Sequence, residues 1–257
     1  MIHPTAIIAP GATLHPSVTV GPYSLIGEHV SIGEGTTVAS HAVIEGRTEI
    51  GCFNQIFQFA SIGAVPQDLK FKGEASTLKI GDRNRIREFT TVHLGTEDGG
   101  GVTTVGSDCL FMAYSHVAHD CIVGNHVILA NAATLAGHVQ VDDFAILGGL
   151  SAVHQFTRVG CHVMASGGSM IAQDIAPFSI VQGDRAKTVG LNTTGLKRRG
   201  YSDEALATIK KLYKLVFRSN LKLEEAIATI ETTFDVGASE VAIYLNFLKS
   251  SERGLAR

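Results

Sequence analysis

The chain has 257 residues, 45% of them hydrophobic, and a formal net charge of −3 at pH 7. That length and composition suffice for one large domain or two smaller ones. The slightly acidic balance argues against nucleic-acid binding, and the lack of a run of 18 apolar residues argues against membrane insertion. Four scattered cysteines without a CxxC pair argue against a disulfide framework or a zinc ribbon. They indicate a reducing compartment, so we expect a cytoplasmic protein.

The first part of the chain repeats every six residues. Counting from Ile2, every sixth residue up to Ile62 is aliphatic, which gives eleven positions without a miss. If about a quarter of residues were Ile, Leu or Val, chance would produce such a run with a probability on the order of 10⁻⁷ per frame. The same phase returns at Ile80 and, after a shift of one residue, continues from Val105 to Ile171.

A period of six fits neither a flat sheet nor a helix, and it is typical of a parallel β-helix. Each unit is a short strand plus a turn that forms one side of a triangular prism. Three units complete one coil, so residues 18 apart in sequence stack, and successive coils are about 4.8 Å apart. The sequence therefore predicts a mainly β fold, with a hexapeptide-repeat β-helix over residues 1–190.

Two segments interrupt the repeat, and the pattern changes after residue 190. Residues 63–79 and 95–104 lack the expected aliphatic positions, so we expect two loops that leave the prism, and such loops commonly carry function. Further on, Ser202 followed by two acidic residues predicts the start of a helix. Apolar residues at helical spacing predict three helices within a C-terminal domain of residues 191–257, the last ending near Gly254.

The 18-residue coil brings distant polar residues to one edge of the prism. His119 lies two residues after Val117, in a turn position, and the residues 18 and 36 further on are Gly137 and Gln155. These three residues should stack in one column. The adjacent positions hold Asp120, His138, His116 and His154. We expect the whole group to gather within about 10 Å along the prism axis.

Three interpretations of this cluster follow from the residue types. Exposed turns accept polar residues without any function. Three neutral imidazoles with an open fourth position would suit catalytic zinc, but the spacing differs from that of the zinc-binding hexapeptide proteins, so we expect neither a metal nor a cofactor. The third interpretation is acyl transfer from a thioester to an alcohol. An imidazole such as His119 would take the hydroxyl proton, the N–H of Gly137 would stabilise the oxyanion, and Asp120 would either orient the imidazole or face solvent.

Several segments are distinctive beyond the repeat: HVAHDCIVGNHVILANAATLAGHVQVDDFAILGG, AVHQF, NTTGLKRRG, QDLKFKGE, IGDRNRIRE and the terminal RGLAR. They closely resemble the UDP-N-acetylglucosamine O-acyltransferase family, almost from end to end of the chain. The resemblance implies a left-handed β-helix and a homotrimer. It also implies transfer of a 3-hydroxyacyl chain from acyl carrier protein to the 3-hydroxyl of UDP-N-acetylglucosamine, the first step of lipid A biosynthesis.

The resemblance assigns roles to individual residues. His119 matches the general base, Gly137 the backbone oxyanion donor, and Gly167 the position that limits acyl-chain length. Contacts to the sugar, the acyl chain or nearby groups are implied for Asp68, Lys70, His116, His138, His154 and Gln155. Contacts around the uridine and the diphosphate are implied for Asn192, Arg198 and Arg199.

The sequence departs from the family pattern at two positions. Thr194 stands where relatives carry an acid near the uracil, and Leu94 stands where many carry Arg. By resemblance, glycine at position 167 implies a long donor of roughly fourteen carbons, because it leaves the end of the acyl groove open. The sequence leaves open whether the acceptor is the usual sugar or its 3-amino analogue.

The last third of the chain carries an excess of positive charge, which bears on how the acyl donor binds. Between residues 185 and 222, ten basic residues are opposed by only Asp203 and Glu204. A solvated helix face explains part of this excess, and an acidic partner such as acyl carrier protein explains it better. Two other functions stay open: a noncatalytic hexapeptide scaffold, and a related N-acyltransferase. The second is disfavoured because that family adds an N-terminal domain, whereas the repeat here begins at Ile2.

Overall fold

The structure, a computed structural model, describes all residues 1–257, and its strands form a three-sided prism. Consecutive strands of the chain belong to different sheets, and each strand pairs in parallel with the strand one coil away. The single antiparallel pair lies at the C-terminal end of the prism. The prism is a left-handed parallel β-helix, as expected, and it is an exception to the right-handed crossover rule.

The three sheets have nine, eight and ten strands. Sheet 1 comprises β1 (Ile7–Ile8), β4 (Leu25–Ile26), β7 (Val43–Ile44), β10 (Ser61–Ala64), β13 (Thr91–His93), β16 (His116–Val117), β19 (Thr134–Leu135), β22 (Ala152–Val153) and β25 (Met170–Ile171). Sheet 2 comprises β2 (Thr13–Leu14), β5 (Val30–Ile32), β8 (Arg47–Ile50), β11 (Thr77–Ile80), β14 (Val102–Val105), β17 (Ile122–Val123), β20 (Gln140–Val141) and β23 (Arg158–Val159). Sheet 3 comprises β3 (Thr19–Val20), β6 (Thr37–Val38), β9 (Gln55–Ile56), β12 (Arg85–Ile86), β15 (Leu110–Phe111), β18 (Ile128–Leu129), β21 (Ile146–Leu147), β24 (Met164–Ala165), β26 (Ser179–Gln182) and β27 (Lys187–Leu191).

The core of the prism is built from the residues that repeat every six positions. Val117, Leu135 and Val153, from three successive coils, are at most 2% exposed. In most coils the third residue after the core position turns the corner with a left-handed backbone even where it is not glycine, as at Asp120 (φ 58°) and His138 (φ 62°). Non-glycine residues rarely adopt this conformation by themselves. It is therefore imposed by the closing of the coil and does not come from local preference.

Both interruptions of the repeat are loops, and both are shorter than the sequence indicates. The first runs from 65 to 76 and the second from 94 to 101, where a single 3₁₀ turn covers Glu97–Gly99. The difference arises because β8, β11 and β14 pair over four residues at the base of the loops. These longer strands take up Thr77–Lys79 and Val102–Thr104, which the repeat pattern had assigned to loops.

The C-terminal residues fold into four helices: α1 (Thr193–Arg198), α2 (Asp203–Arg218), α3 (Leu223–Thr233) and α4 (Ser239–Lys249). Ser202 caps α2, as predicted, by accepting a hydrogen bond from the N–H of Ala205. The short α1, capped by Asn192, was not foreseen, and α4 ends at Lys249 instead of near Gly254. A second hydrophobic core joins the helices to the last coil, since Phe178 packs with Tyr244.

Two further observations concern the whole chain. None of the helices combines the length and the apolar character needed to cross a bilayer. All four cysteines are free thiols, and three of them are buried.

Candidate active site

His119 and Asp120 form a hydrogen-bonded pair in the turn between β16 and β17, at the corner where sheets 1 and 2 meet. Nδ1 of His119 lies 2.8 Å from Oδ2 of Asp120. The side chain of Asp120 is 1% exposed and that of His119 is 14% exposed. Because a carboxylate only accepts, the proton of the neutral imidazole resides on Nδ1, which leaves Nε2 as a free acceptor. This is the tautomer that a general base requires.

The Asp120 carboxylate has two further donors, both from Thr96. The N–H of Thr96 donates to Oδ1 at 2.8 Å, and its hydroxyl donates to Oδ2 at 2.6 Å. The backbone N–H of Asp120 donates to the hydroxyl of Thr103 at 2.8 Å. Asp120 therefore does not face solvent. Neither threonine has a role predicted from sequence, and the only signal near Thr96 is the interrupted repeat.

Gly137 lies one coil beyond His119, directly against its ring. A Cβ atom at position 137 would stand 2.5 Å from Cε1 and 2.6 Å from Nε2 of His119. Any side chain there would displace the imidazole, so glycine keeps the space beside Nε2 open for a reacting group. The predicted column of residues 18 apart is present at this corner, since the N–H of His138 donates to the carbonyl of His119.

Three more histidines surround the pair. His138 stacks on Phe156, with ring centroids 4.4 Å apart, and meets His119 edge to face at 5.0 Å. His116 points outward from β16, with Nδ1 2.6 Å from the hydroxyl of Thr91. His93, which the sequence did not single out, is buried and packs edge to face against His116. His154 and Gln155, one coil further on, are exposed.

Burial keeps these neighbouring imidazoles neutral. It lowers the pKa of His93 to about 4, with a smaller contribution from His116 and His119. Burial also lowers the pKa of His116 and of His138, and in both cases the nearby His119 acts in the same direction. At neutral pH the ring system around His119 is therefore uncharged, which suits proton transfer.

We expect the free energy of unfolding to fall as the pH is lowered from about 6.5 towards 4. The unfolded chain protonates His93 at its ordinary pKa of 6.5, whereas the folded chain does so only near 4, so the unfolded state holds more protons between these values. The loss at pH 5 should be on the order of 2 kcal/mol for this residue. Urea unfolding at pH 7 and pH 5, at fixed protein concentration, should show a smaller difference for His93→Gln than for the wild type. An equal difference in both proteins would contradict the assignment.

The same pair belongs to a group that could hold a metal ion. One ligand atom each from His119, Asp120 and His138 lies within 4.8 Å of the others, and two imidazoles with a carboxylate match a catalytic zinc site in ligand type. Asp120, however, already accepts three hydrogen bonds, one of them from His119. A metal would have to replace that last bond. The contacts therefore fit a hydrogen-bonded acid–base pair better.

The loop of residues 65–76 adds charged groups beside the histidines. Asp68 accepts a hydrogen bond from the N–H of Lys70, and the charges of both residues act on the pKa of His138 in opposite directions. With Thr96 and Glu97, they line a cavity of about 460 Å³ between the two loops. This cavity is polar and adjoins the His119 corner.

The remaining predicted contact residues lie at a different corner of the chain, where sheets 2 and 3 meet. The side-chain amide of Asn192 donates to the carbonyl of His162, and the guanidinium of Arg199 stacks on Phe144 at 4.2 Å. Arg198 and Thr194 are exposed on α1. Within one chain, therefore, these residues are not brought to His119. Leu94 lies in the prism core at 6% exposure.

Gly167 occupies the third corner, between sheets 3 and 1. It stacks on Gly149, since a Cβ at position 167 would meet the carbonyl oxygen of Gly149 at 3.2 Å. The column that the 18-residue spacing predicts is thus present. Gly167 is exposed, so a side chain there would project outward from the prism. It does not share a corner with His119.

Comparisons with known proteins bear on the whole chain. A family model described as Udp N-acetylglucosamine O-acyltransferase, Domain 2, matches residues 174–256, and one for the bacterial transferase hexapeptide matches residues 11–46 and 103–137. LpxA from Acinetobacter baumannii is 43% identical with a TM-score of 0.97, over 100% of this chain and 99% of that one. The Francisella novicida UDP-N-acetylglucosamine acyltransferase is 39% identical, with a TM-score of 0.97, and the match covers 100% of this chain and 94% of that one. The UDP-N-acetylglucosamine O-acyltransferase of Moraxella catarrhalis is 41% identical, with a TM-score of 0.96, and the match covers 100% of this chain and 99% of that one.

Proposed function

The chain belongs to the UDP-N-acetylglucosamine O-acyltransferase family, and on that premise we propose the reaction and the residues that perform it. The protein is an acyltransferase of lipid A biosynthesis that moves an acyl chain from acyl carrier protein to UDP-N-acetylglucosamine. The observation that carries the proposal is the full-length match at 43% identity, which includes the His119 corner. The acyl group forms an ester with the sugar 3-hydroxyl, and the transferred chain is a 3-hydroxyacyl group.

We assign the proton transfer to His119. Its free Nε2 takes the proton of the sugar 3-hydroxyl as the oxygen attacks the thioester carbonyl. The N–H of Gly137, beside the ring, donates to the oxyanion that forms. The buried Asp120 carboxylate stabilises the imidazolium, which then returns the proton to the departing thiolate. Every proton taken from the alcohol thus leaves on the thiol.

The cavity between the two loops fits the sugar. A sugar offers hydroxyl and amide groups, and the cavity presents the carboxylate of Asp68 and the ammonium of Lys70 near His138. A carboxylate accepts from sugar hydroxyls, and an ammonium suits a phosphate oxygen. We propose that His116, His154 and Gln155 contact the acyl chain and the sugar along the same edge.

We propose that the enzyme is a homotrimer because its site is divided among corners. His119, Arg199 and Gly167 lie at three different corners of one prism, so neighbouring subunits must supply what each corner lacks. A closed C3 arrangement of prisms satisfies this for all subunits at once. Sedimentation equilibrium should give three times 27.2 kDa. Since all four cysteines are free, we place the enzyme in the reducing cytoplasm.

The acyl carrier protein has a suitable docking surface on the helices. A groove of about 610 Å³ between α2 and α3 has Leu215 and Phe234 in its lining, and the cationic side chains of Lys211, Lys214 and Arg218 border it. Together with Lys210, these cations are exposed. An apolar groove with a basic rim fits an acidic amphipathic helix.

Charge reversal at Lys210 and Lys211 should raise the KM for acyl carrier protein by about 10-fold, because two attractive charges become repulsive. It should also flatten the salt dependence of that KM, while the KM for the sugar nucleotide stays nearly unchanged. Lys79→Gln, which removes an exposed positive charge on sheet 2 without setting an acid against Glu49, serves as the control. Steady-state kinetics from about 50 to about 300 mM salt, over which the Debye length shortens from about 14 Å to about 6 Å, measure both effects.

Arg199→Ala should do the converse, raising the KM for the sugar nucleotide by about 10-fold and leaving that for acyl carrier protein unaltered. The physical reason is the loss of a guanidinium that can hold the diphosphate. If the Lys210/Lys211 and Arg199 variants change both KM values alike, the division of labour between helix α2 and α1 is wrong.

One assay tests the function as a whole. The purified protein is mixed with UDP-N-acetylglucosamine and a 3-hydroxyacyl-carrier protein, and the product is identified by mass and by its alkali-labile ester. An N-acyltransferase would leave this acceptor unchanged, because its nitrogen already carries an acetyl group, and would acylate only a 3-O-acylglucosamine nucleotide with a free amine. No turnover with either acceptor, together with tight sugar-nucleotide binding, would indicate a noncatalytic scaffold. Either result would refute the proposal.

A further inference from the structure

We propose that Thr96 is a positioning residue that holds the Asp120 carboxylate against His119, so that the loop of residues 94–101 completes the catalytic pair. The inference rests on the proposed function, because that function makes His119 the base. It concerns a residue outside the repeat, which approaches Asp120 from a segment 24 positions earlier in the chain.

Thr96 binds both oxygens of the carboxylate at once. Its N–H donates to Oδ1 at 2.8 Å and its hydroxyl to Oδ2 at 2.6 Å, while Nδ1 of His119 also donates to Oδ2. Thr96 is 3% exposed and Asp120 is 5% exposed, so little water competes for these bonds. Hydrogen bonds to a buried charged group are among the strongest that side chains make.

The loop fixes Thr96 in turn. The carbonyl of Thr96 accepts hydrogen bonds from the N–H groups of Gly99 and Gly101, at 3.1 and 2.7 Å. The backbone of the loop is therefore closed on itself at the residue that donates to Asp120. The Thr96 hydroxyl is held in place and does not need to be ordered during the reaction.

Without Thr96 the carboxylate could rotate about its Cβ–Cγ bond. A carboxylate held at both oxygens presents Oδ2 to His119 in one orientation only, which keeps the proton on Nδ1 and the lone pair on Nε2. Loss of the hydroxyl leaves one fewer donor on Oδ2 and lets the oxygen turn away. A share of His119 would then carry its proton on Nε2, and that share could not act as the base.

Gly99 supports the same conclusion independently. A Cβ atom at position 99 would overlap the carboxylate carbon and Oδ2 of Asp120. The backbone at Gly99 does not have a left-handed φ, so glycine is needed there for space and not for its conformational freedom. The loop thus packs its backbone directly against the carboxylate on the side where Thr96 also binds.

The first test replaces the hydroxyl alone. Thr96→Val keeps the shape and the N–H but places a methyl group near Oδ2, so kcat should fall by about 10- to 100-fold. The KM values for both substrates should change little: Thr96 borders the proposed sugar cavity, but it is 3% exposed and its hydroxyl is taken up by Asp120. Thr96→Ser retains the donor and should restore most of kcat.

Thr157→Val is the matched control. Thr157 is fully buried at the same corner, its hydroxyl has no hydrogen-bond partner, and the equivalent residue one coil earlier is Val139. This variant should keep the wild-type kcat, with a thermal midpoint at least as high as that of the wild type, because it removes an unsatisfied buried hydroxyl. A wild-type kcat in Thr96→Val, or a loss of kcat that Thr96→Ser fails to restore, would overturn the proposal.

The second test does not depend on turnover. With ¹⁵N-labelled histidine, NMR should show His119 of the wild type as the Nδ1–H tautomer and His119 of Thr96→Val as a mixture. Gly99→Ala, which pushes the carboxylate aside, should produce the same mixture, whereas Gly190→Ala, with open space at its Cβ, should not. An unchanged tautomer in both loop variants would refute the positioning role. If the wild type is inactive, the proposed function fails, yet this measurement still decides the role of Thr96.

Discussion

His119→Ala is expected to lower kcat by roughly 10²- to 10⁴-fold while the fold stays intact. The imidazole lies between Asp120 and Gly137, so its removal leaves no proton acceptor beside the proposed oxyanion donor, where the sugar hydroxyl should lie. Asp120 cannot take over, because its carboxylate is buried and each of its oxygens still accepts a hydrogen bond from Thr96. The rising part of the pH–rate profile, which reports deprotonation of the base, should vanish with the ring.

The control for this variant is His15→Ala, since His15 is exposed in a turn of the first coil and its side chain makes hydrogen bonds only to Ser17. It should retain full activity. Near-normal turnover in a folded His119→Ala would remove His119 from the mechanism. Metal analysis and EDTA treatment address the rival arrangement of His119, Asp120 and His138: stoichiometric zinc, with activity lost on chelation, would favour a metal-assisted reaction instead.

Gly167→Met is expected to shift donor preference towards a chain several methylenes shorter. Gly167 and His119 differ by 48 residues, or 48/18 coils, which corresponds to an axial separation of about 13 Å at strand spacing. An extended acyl chain of ten or more carbons spans this distance. Because the two residues lie at different corners, the groove that joins them is most readily built between subunits.

A methionine at 167 would fill the far end of that groove. The φ of Gly167 is not left-handed, and a new Cβ would be 3.2 Å from the carbonyl oxygen of Gly149, so a side chain there requires that carbonyl to move by a few tenths of an ångström. Each methylene contact is worth about 0.8 kcal/mol, so a difference of four carbons should change selectivity by on the order of 10²-fold. The ratio of kcat/KM for ten- and fourteen-carbon donors measures it.

Gly149→Met provides a graded comparison. Gly149 lies in the same column one coil nearer to His119, and its surroundings are alike, with the carbonyl of Asn131 at 3.2 Å from a new Cβ. Gly149→Met should favour a donor still shorter than the one that Gly167→Met prefers. The difference should be the length of acyl chain that spans one coil spacing, about 4.8 Å. An unchanged ratio in a folded, trimeric Gly167→Met would show that the chain ends elsewhere and that both glycines serve only the turns.

The repeat alone was sufficient to predict which residues stack. A strict period of six admits one coil length, so the neighbours of His119 and of Gly149 could be found by adding 18. The structure has Gly137 against His119 and Gly167 against Gly149. The same regularity predicted the inward residues and the parallel pairing, because in a solenoid every coil contacts only its neighbours. The family resemblance added the handedness and the reaction, which spacing cannot supply.

The environment of Asp120 was decided by tertiary structure. Thr96 and Gly99 lie in a segment where the count of six fails, and no arithmetic relates a loop of irregular length to a turn 24 residues later. The actual loop bounds, too, depend on how far β8, β11 and β14 pair. Spacing alone puts Gly167 and His119 at different corners, since their separation of 48 residues is not a multiple of 18, whereas the position of Arg199 at the remaining corner emerges only when α1 packs on the coil. Periodic contacts follow from sequence because one rule repeats, whereas loop contacts depend on three-dimensional packing that no local pattern encodes.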